Sequence, residues 1–176
     1  SAFVAISPED AKITAVRSVL SDCVFYDFIP QFMRLWQKVK RETRLAPAGE
    51  NIAALLHSIQ RAESPLYSDI LQRFKAAIPR VEAIETDLTE EDTPKTYVQL
   101  REKGIPQPIK SFSISEGTFR ILGILLALFA PNPASLVAIE GPETNVHPHL
   151  FVNIADYLKI ASKRRQVIVT THSPHF

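Results

Sequence analysis

Several features are scarce in this 176-residue chain, and each scarcity excludes a class of protein. The single cysteine, Cys23, excludes an internal disulfide and suits a reducing compartment. No apolar run approaches the ~20 residues that cross a bilayer, and no charged-then-apolar leader is present, so we expect a cytoplasmic protein that does not span a membrane. The formal net charge of +1 gives no global case for binding nucleic acid or a membrane surface.

The composition that remains is that of an ordinary globular domain. Hydrophobic residues make up 45% of the chain and charged residues 22%, which suits one domain with a sizeable core. Thirteen prolines indicate many helix starts and breaks. The order of patterns is helices, then alternating strands, then β-α-β units, which predicts an α/β core preceded by a helical and β-meander subdomain.

Near its beginning, the chain predicts a helix, a strand and a second helix. Residues 7–10 (SPED) have the capping serine, proline and acids of a helix start, and the helix should run to about Leu20. Residues 23–30 are apolar and aromatic and predict a strand or an extended segment that ends at Pro30. Residues 31–40 predict an amphipathic helix. Its apolar face contains Phe32, Leu35, Trp36 and Val39.

The middle of the chain predicts two helices and an antiparallel strand pair. Residues 51–61 form a helix with His57 as a surface side chain, and Ser64-Pro65 starts another helix that ends near Ala77. Residues 81–88 and 97–103 nearly alternate between apolar and polar, which predicts two paired strands with one face in water. The inward residues of the first helix are Ile52, Leu55, Leu56 and Ile59.

The last third of the chain has the residues that point to chemistry. Residues 136–139 and 166–170 are apolar runs that predict two parallel strands buried on both faces, joined by a helical crossover over residues 148–162. Glu140 ends the first strand, and His172 follows the second. Ligands of open α/β sheets bind at this edge, and a carboxylate there suits Mg²⁺. Ser115 is a good cap for the helix that follows it, whose free N–H groups favour an anion.

These residues, in this order, resemble those of ABC-type ATPases. Residues 114–118 (ISEGT) resemble the signature loop, and residues 137–143 (VAIEGPE) resemble the Walker B strand. Residues 145–148 (NVHP) take the place of the D-loop, and residues 171–174 (THSP) that of the switch histidine. The most similar variety is the SMC/RecF/OLD-like group of AAA-type ATPases, whose segment between two ATPase lobes resembles residues 45–56. The resemblance covers roughly residues 20–176.

The resemblance implies a P-loop NTPase-like sheet with flanking helices, ATP and Mg²⁺ as ligands, and a homodimer or head-to-head partner. Glu140 would hold Mg²⁺ through water, and His172 would contact the γ-phosphate as a catalytic residue. Ser115 and Gly117 would contact the γ-phosphate of ATP bound to the other subunit, and His147 would line the dimer seam. Phosphoryl transfer of this kind needs positioning and charge neutralisation rather than covalent chemistry.

Two departures from the family pattern change the expectation. Gly141 stands where the family has its catalytic Glu, and losing general-base help typically costs ~10²–10⁴-fold in rate. Glu143 is the residue that would partly substitute, as a second catalytic candidate. The five glycines include none followed by Lys-Ser or Lys-Thr, so the phosphate-binding P-loop is absent from this chain. We therefore expect a fragment, incomplete without an N-terminal P-loop lobe, that alone neither binds nor hydrolyses ATP.

The sequence divides into residues 1–108, the subdomain between the ATPase lobes, and residues 109–176, the C-terminal ATPase lobe. The leading hypothesis is the C-terminal part of an ATP-hydrolysing ABC-type ATPase that dimerises around ATP. The first alternative is a non-hydrolysing module in which ATP drives dimerisation, because of Gly141. A lesser alternative is a metallohydrolase that uses Glu140, Glu143 and the histidines of residues 147–149 and 172–175. The basic run of residues 38–44 is a candidate for DNA contact, against the simpler interpretation of a solvated face.

Overall fold

The structure, a computed structural model, describes residues 11–176. The predicted helix start at residues 7–10 therefore lies outside the described residues. Two short 3₁₀ turns, Ser111–Ser113 and Pro148–Leu150, precede helices. The helices and strands of the described part are α1 (Ala11–Ser21), β1 (Cys23–Tyr26), α2 (Pro30–Met33), β2 (Gln37–Lys38), α3 (Ile52–Arg61), α4 (Pro65–Ala77), β3 (Val81–Leu88), β4 (Lys95–Glu102), β5 (Ile109–Lys110), α5 (Glu116–Phe129), β6 (Leu136–Glu140), α6 (Phe151–Ser162) and β7 (Gln166–Thr170).

A three-stranded parallel sheet, in the order β1-β6-β7, forms the base of the ATPase-like part. The sequence predicted β6 and β7 as parallel neighbours joined by a helix, and the structure confirms this pairing, with α6 as the crossover. Strand β1 pairs with β6 in parallel, with Phe25 opposite Ala138. The segment before residue 109 thus contributes a strand to this sheet, so the predicted division at residue 108 does not separate two sheets.

The two faces of the parallel sheet differ in burial. On one face Tyr26 and Ile139 belong to the main hydrophobic core, at 2% and 1% exposed. On the other face Phe25 and Ile168 are 68% and 43% exposed. The prediction that both strands are buried on both faces therefore holds for β6 but is wrong for β7. The physical reason is that β7 is at the edge of the sheet in the described part of the chain, where Val169, opposite the buried Ile139, is also 37% exposed.

An antiparallel sheet, in the order β2-β4-β3 with β5 also on β4, lies beside the helices α3 and α4. The predicted pairing of β3 with β4 is confirmed. The prediction of a wet face is wrong for β4, where the stretch from Thr96 to Leu100 is buried throughout. The reason is that β4 has neighbours on both sides, and Trp36 packs on Tyr97 with ring centroids 6.2 Å apart.

The predicted helix over residues 31–40 is wrong. Helix α2 ends at Met33, and the chain then extends to form β2, in which Gln37 pairs with Thr96 of β4. The Gln37 side chain also accepts a hydrogen bond from the backbone N–H of Ala54 at 3.0 Å. Tertiary pairing therefore overrides the local helical pattern. The four apolar residues of the predicted face are 45–50% exposed: Phe32, Leu35, Trp36 and Val39.

The remaining helices agree with the sequence patterns. Helix α3 buries its four predicted inward residues, and α4 begins at the Ser64-Pro65 cap. Helix α5 is apolar around nearly its whole surface and is buried from Thr118 to Leu128, so it is a core helix. Between residues 11 and 176, no helix combines the length and the apolar character that crossing a membrane requires.

Candidate functional site

The carboxyl ends of β6 and β7 bring two predicted site residues to one edge of the sheet. Glu140 is directly opposite Thr170, and the Gly141 N–H donates to the Thr170 carbonyl at 2.9 Å. His172 leaves β7 just past that point, and both Glu140 and His172 are exposed. The parallel register thus places the two side chains on the same rim, which is where open α/β sheets bind ligands.

The Glu140 carboxylate lies over the open face of the sheet. It lines a shallow pocket of about 140 Å³ together with Asp27 and Thr170. The floor of this pocket is apolar and includes Phe25 and Ile168. The sequence analysis missed Asp27, although the signal was present: an acid that directly follows an apolar strand, as Glu140 does. The rim therefore has two carboxylates, and carboxylate oxygens are the protein ligands that Mg²⁺ prefers.

Glu143 holds the loop that contains His172. Its Oε1 accepts hydrogen bonds from the Thr171 hydroxyl at 2.7 Å and from the His172 backbone N–H at 3.1 Å. Its Oε2 is buried without a hydrogen-bond partner. Burial alone would raise the pKa of Glu143, but the hydrogen bonds from Thr171 and from nearby backbone N–H groups outweigh it and lower the pKa. The carboxylate is thus ionised and hydrogen-bonded to the loop that contains His172.

Gly141 occupies a backbone conformation that favours glycine. Its φ is +48°, and a Cβ at this position would lie 2.6 Å from Thr144 Oγ1. The Gly141 carbonyl accepts a hydrogen bond from Arg120 Nη1 at 3.1 Å, and Arg120 Nη2 donates to the Phe28 carbonyl at 3.1 Å. Arg120 is 4% exposed and joins α5 to the turns after β1 and β6. Sequence analysis missed it, although a lone arginine in an apolar helix was the signal.

The loop before α5 is held by its own hydrogen bonds. Ser115 caps the helix: its Oγ accepts from the Thr118 N–H at 3.2 Å and lies 2.7 Å from Thr118 Oγ1. A Cβ on Gly117 would lie 2.5 Å from the Asn145 carbonyl oxygen, so this glycine is required by the close approach of a second loop. The sequence explained Gly117 by approach to a ligand, which stays a prediction. The structure gives an additional, intramolecular reason.

A second pocket, of about 400 Å³, collects the other predicted residues. Ser115, Gly117 and His147 all line it, and His149 lies beside them. The Nδ1 atoms of His147 and His149 are 2.6 Å apart, so one imidazole donates to the other. The predicted site residues therefore fall into two groups. The rim group contains Glu140, Glu143 and His172, and the loop group contains Ser115, Gly117 and His147.

The two groups give no support to a metallohydrolase. In residues 11–176 no three or more His, Cys, Asp or Glu side chains are arranged to hold a metal ion. The paired histidines belong to the loop group, whereas Glu140 lines the pocket on the open face of the sheet.

ATP and Mg²⁺ fit the residues of this chain in part. The rim offers the exposed Glu140 carboxylate and the exposed His172, and the capped α5 has the free N–H groups of a helix N-terminus. The sequence has no P-loop to hold the remaining phosphates. The fit of ATP and Mg²⁺ to this chain is therefore partial.

Comparison with solved structures defines the class. The chain is similar to "Crystal structure of the SmcHead bound to the C-winged helix domain of ScpA", with a TM-score of 0.60 and 15% identity over 97% of this chain and 50% of that one. A Pyrococcus furiosus Smc head with an extended coiled coil, bound to the C-terminal domain of ScpA, is similar over 66% of this chain and 30% of its own, at 14% identity and a TM-score of 0.49. The fold is that of an SMC-head-like, ABC-type ATPase module, and the chain spans about half of the first structure.

The sequence itself identifies the family. The family profile described as "AAA domain, putative AbiEii toxin, Type IV TA system" matches residues 20–176, and the chain belongs to this family. No curated protein sequence matches the chain. The fold class and the AAA-type, SMC-head-like resemblance predicted from the motifs are thus confirmed.

Proposed function

We propose that this chain is the C-terminal part of an ATP-binding and ATP-hydrolysing ABC-type ATPase that dimerises around ATP. The observation that carries the proposal is the register of β6 and β7, in which Glu140 lies opposite Thr170 on a sheet with one open face. A lobe that contains a P-loop covers this face and brings the phosphates to the rim. The cytoplasmic location predicted from the sequence belongs to the same proposal.

The rim group takes the nucleotide of its own subunit. Glu140, with Asp27 beside it, would hold Mg²⁺, which neutralises phosphate charge during phosphoryl transfer. His172 donates a hydrogen bond to the γ-phosphate. Glu143 positions His172 through the bond to its backbone N–H, so its role is positioning rather than direct proton transfer to water. Its second oxygen is buried, which agrees with a positioning role.

The loop group faces the nucleotide of the partner subunit. Ser115 is exposed at the N-terminus of α5, where the helix dipole and free N–H groups favour the γ-phosphate. Gly117 keeps the loop close to the backbone of Asn145, and His147 lines the same pocket at the dimer seam. Two subunits facing each other would thus join each rim group to the partner's loop group.

The test uses the protein together with its P-loop lobe. ATP with Mg²⁺ should drive dimerisation, which size-exclusion chromatography measures. Ser115→Arg should abolish dimerisation without weakening ATP binding, because a long cation blocks the seam only. His172→Ala should lower phosphate release and keep dimerisation. Dimerisation that is independent of nucleotide and unaffected by Ser115→Arg would refute the proposal.

A second candidate function is a non-hydrolysing module in which ATP drives dimerisation. It is favoured by Gly141, whose positive φ and close approach to Thr144 make glycine part of the turn. The test is Gly141→Glu combined with Thr144→Ala, which removes the oxygen that the new side chain would meet. A gain in phosphate release of about 10²–10⁴-fold supports this candidate, because general-base catalysis contributes that much. No gain, with dimerisation intact, argues against it. Thr144→Ala alone is the matched control.

A further inference from the structure

A basic pocket lies between the loop after β2 and the second half of α3. It has a volume of about 550 Å³ and is lined by Lys40, Arg41, His57 and Arg61. The sequence singled out Lys40 and Arg41 within a basic run but gave no reason to join them to α3. The fold brings the two together: the Glu42 N–H donates to Ser58 Oγ of α3 at 2.9 Å, and Ser58 Oγ lies 3.3 Å from the Lys40 carbonyl oxygen.

The positive charge of this pocket is only partly compensated. Lys40 pairs with Glu42 at 2.6 Å. The side chains of Arg41 and Arg61 are exposed and make no ion pair or hydrogen bond with any other residue from 11 to 176. Two guanidinium groups with all their donors free, at one concave site, suit a planar or tetrahedral oxyanion, because arginine pairs with phosphate through parallel N–H bonds.

The hydrogen bonds of His57 fix which of its ring nitrogens a ligand meets. The Thr86 hydroxyl donates to Gln60 Oε1 at 2.7 Å, and that oxygen also accepts from the Thr86 N–H at 3.2 Å. Thr86 Oγ1 must therefore accept from His57 Nδ1, 3.0 Å away. This leaves Nε2 for the pocket, where in the neutral ring it accepts an O–H from a sugar or from a protonated phosphate. Nε2 of His57 is thus available to bind a phosphate-bearing ligand beside the two arginines.

We propose that this pocket binds a phosphate-bearing ligand through Arg41 and Arg61, with Lys40 and His57 beside them. The proposal does not depend on the ATPase function, because none of these residues lines the rim pocket or the loop pocket. The phosphate belongs either to a nucleic-acid backbone or to a small molecule, and two probes distinguish these sources.

The first probe is a fluorescently labelled 12-nucleotide single strand of DNA, titrated with the chain and followed by anisotropy at several salt concentrations. Arg41→Gln with Arg61→Gln should weaken binding about tenfold or more and lower the salt slope by about two, because each lost phosphate contact removes about one unit. Lys163→Gln with Arg164→Gln, which removes two exposed cations elsewhere, is the matched control and should have a smaller effect. Arg41→Lys with Arg61→Lys keeps the charges and should keep the salt slope, but it should bind more weakly than the wild type because the paired N–H bonds are lost.

The second probe is inorganic phosphate, followed by the NMR signals of the His57 imidazole. Signals that shift in the wild-type chain but not in the Arg41/Arg61→Gln variant support the proposal and assign a small phosphate compound if the DNA strand does not bind. Binding of the DNA strand that depends on Arg41 and Arg61 assigns the nucleic-acid backbone. If the double variant does not fold, Arg41→Gln alone should lower the salt slope by about one. The proposal is overturned if neither probe distinguishes the arginine variants from the Lys163/Arg164 control.

Discussion

The two faces of the parallel sheet consist of the same strands with opposite surroundings. The covered face contains Tyr26 and Ile139, which are almost fully buried in the main core. The open face contains Phe25 and Ile168, which are largely exposed although both are apolar. The acids Asp27 and Glu140 line the pocket on the open face. These two carboxylates are therefore on the side of the sheet that the described residues leave uncovered, whereas the loop group lines a separate pocket.

The largest expected effect compares two isoleucines of adjacent strands. Ile139→Ala should lower the free energy of unfolding by about 2–5 kcal/mol, because it opens a cavity in the core. Ile168→Ala, on the open face, should cost less than about 1 kcal/mol, because little buried volume is lost. Urea denaturation of both variants measures the difference. Equal losses would show that the open face is covered in solution and would contradict the difference between the two faces.

The next prediction concerns what covers the open face. Phe25→Ser with Ile168→Ser should weaken association with a separately expressed P-loop lobe by about tenfold or more, because burial of each side chain favours binding. Isothermal titration calorimetry measures the affinity. Phe112→Ser is the control, because Phe112 is 59% exposed, packs against Trp36 and does not line the pocket on the open face. Unchanged affinity in the double variant would mean that the lobe packs elsewhere.

A smaller effect on stability is expected at the rim, where β6 and β7 end. Glu143→Gln should lower the free energy of unfolding by about 1 kcal/mol at pH 7, because the bonds to Thr171 and His172 lose their charge. The pKa of Glu143 is lower in the folded state than its ordinary value of 4.5. Its contribution is therefore complete above that value and is lost as pH falls through the folded pKa.

Urea denaturation at several pH values tests this dependence. The difference between the wild type and Glu143→Gln should narrow as pH falls below about 4.5. Glu90→Gln, in an exposed loop, should have the same free energy of unfolding as the wild type at every pH. A gap that stays constant down to low pH would place the stabilising interaction elsewhere than in the ionised carboxylate.

The last prediction is that the chain alone shows no ATP binding. ATP with Mg²⁺ should not bind, because the open face offers carboxylates for the metal ion but the sequence has no P-loop to hold the phosphates. Equilibrium dialysis measures this, and adding the P-loop lobe should restore binding. Tight, Mg²⁺-dependent binding by the chain alone would refute the assignment of the open face as half of a nucleotide site.

Much of the fold could be predicted from local patterns, and the exceptions have one cause. Helix α4 and the β3–β4 pair are as the patterns predict, because each is fixed by a cap or an alternation within a few residues. The segment around Trp36 has a helical pattern but forms β2, because pairing with β4 decides its conformation. Sequence analysis placed Glu140 and His172 at one rim. It missed Asp27 and Arg120, whose partners are distant in the chain.

Local sequence patterns were sufficient to predict the order of motifs, the parallel strands β6 and β7, and hence the family of the chain. These features are encoded in contiguous residues, so apolar runs and punctuating residues suffice to find them. Three further features became apparent only from the packing of the described residues: the open face of the sheet, the bond between Glu143 and the His172 loop, and the pocket shared by Arg41 and Arg61. Burial and hydrogen bonding between distant segments depend on how the elements pack, which no local pattern specifies.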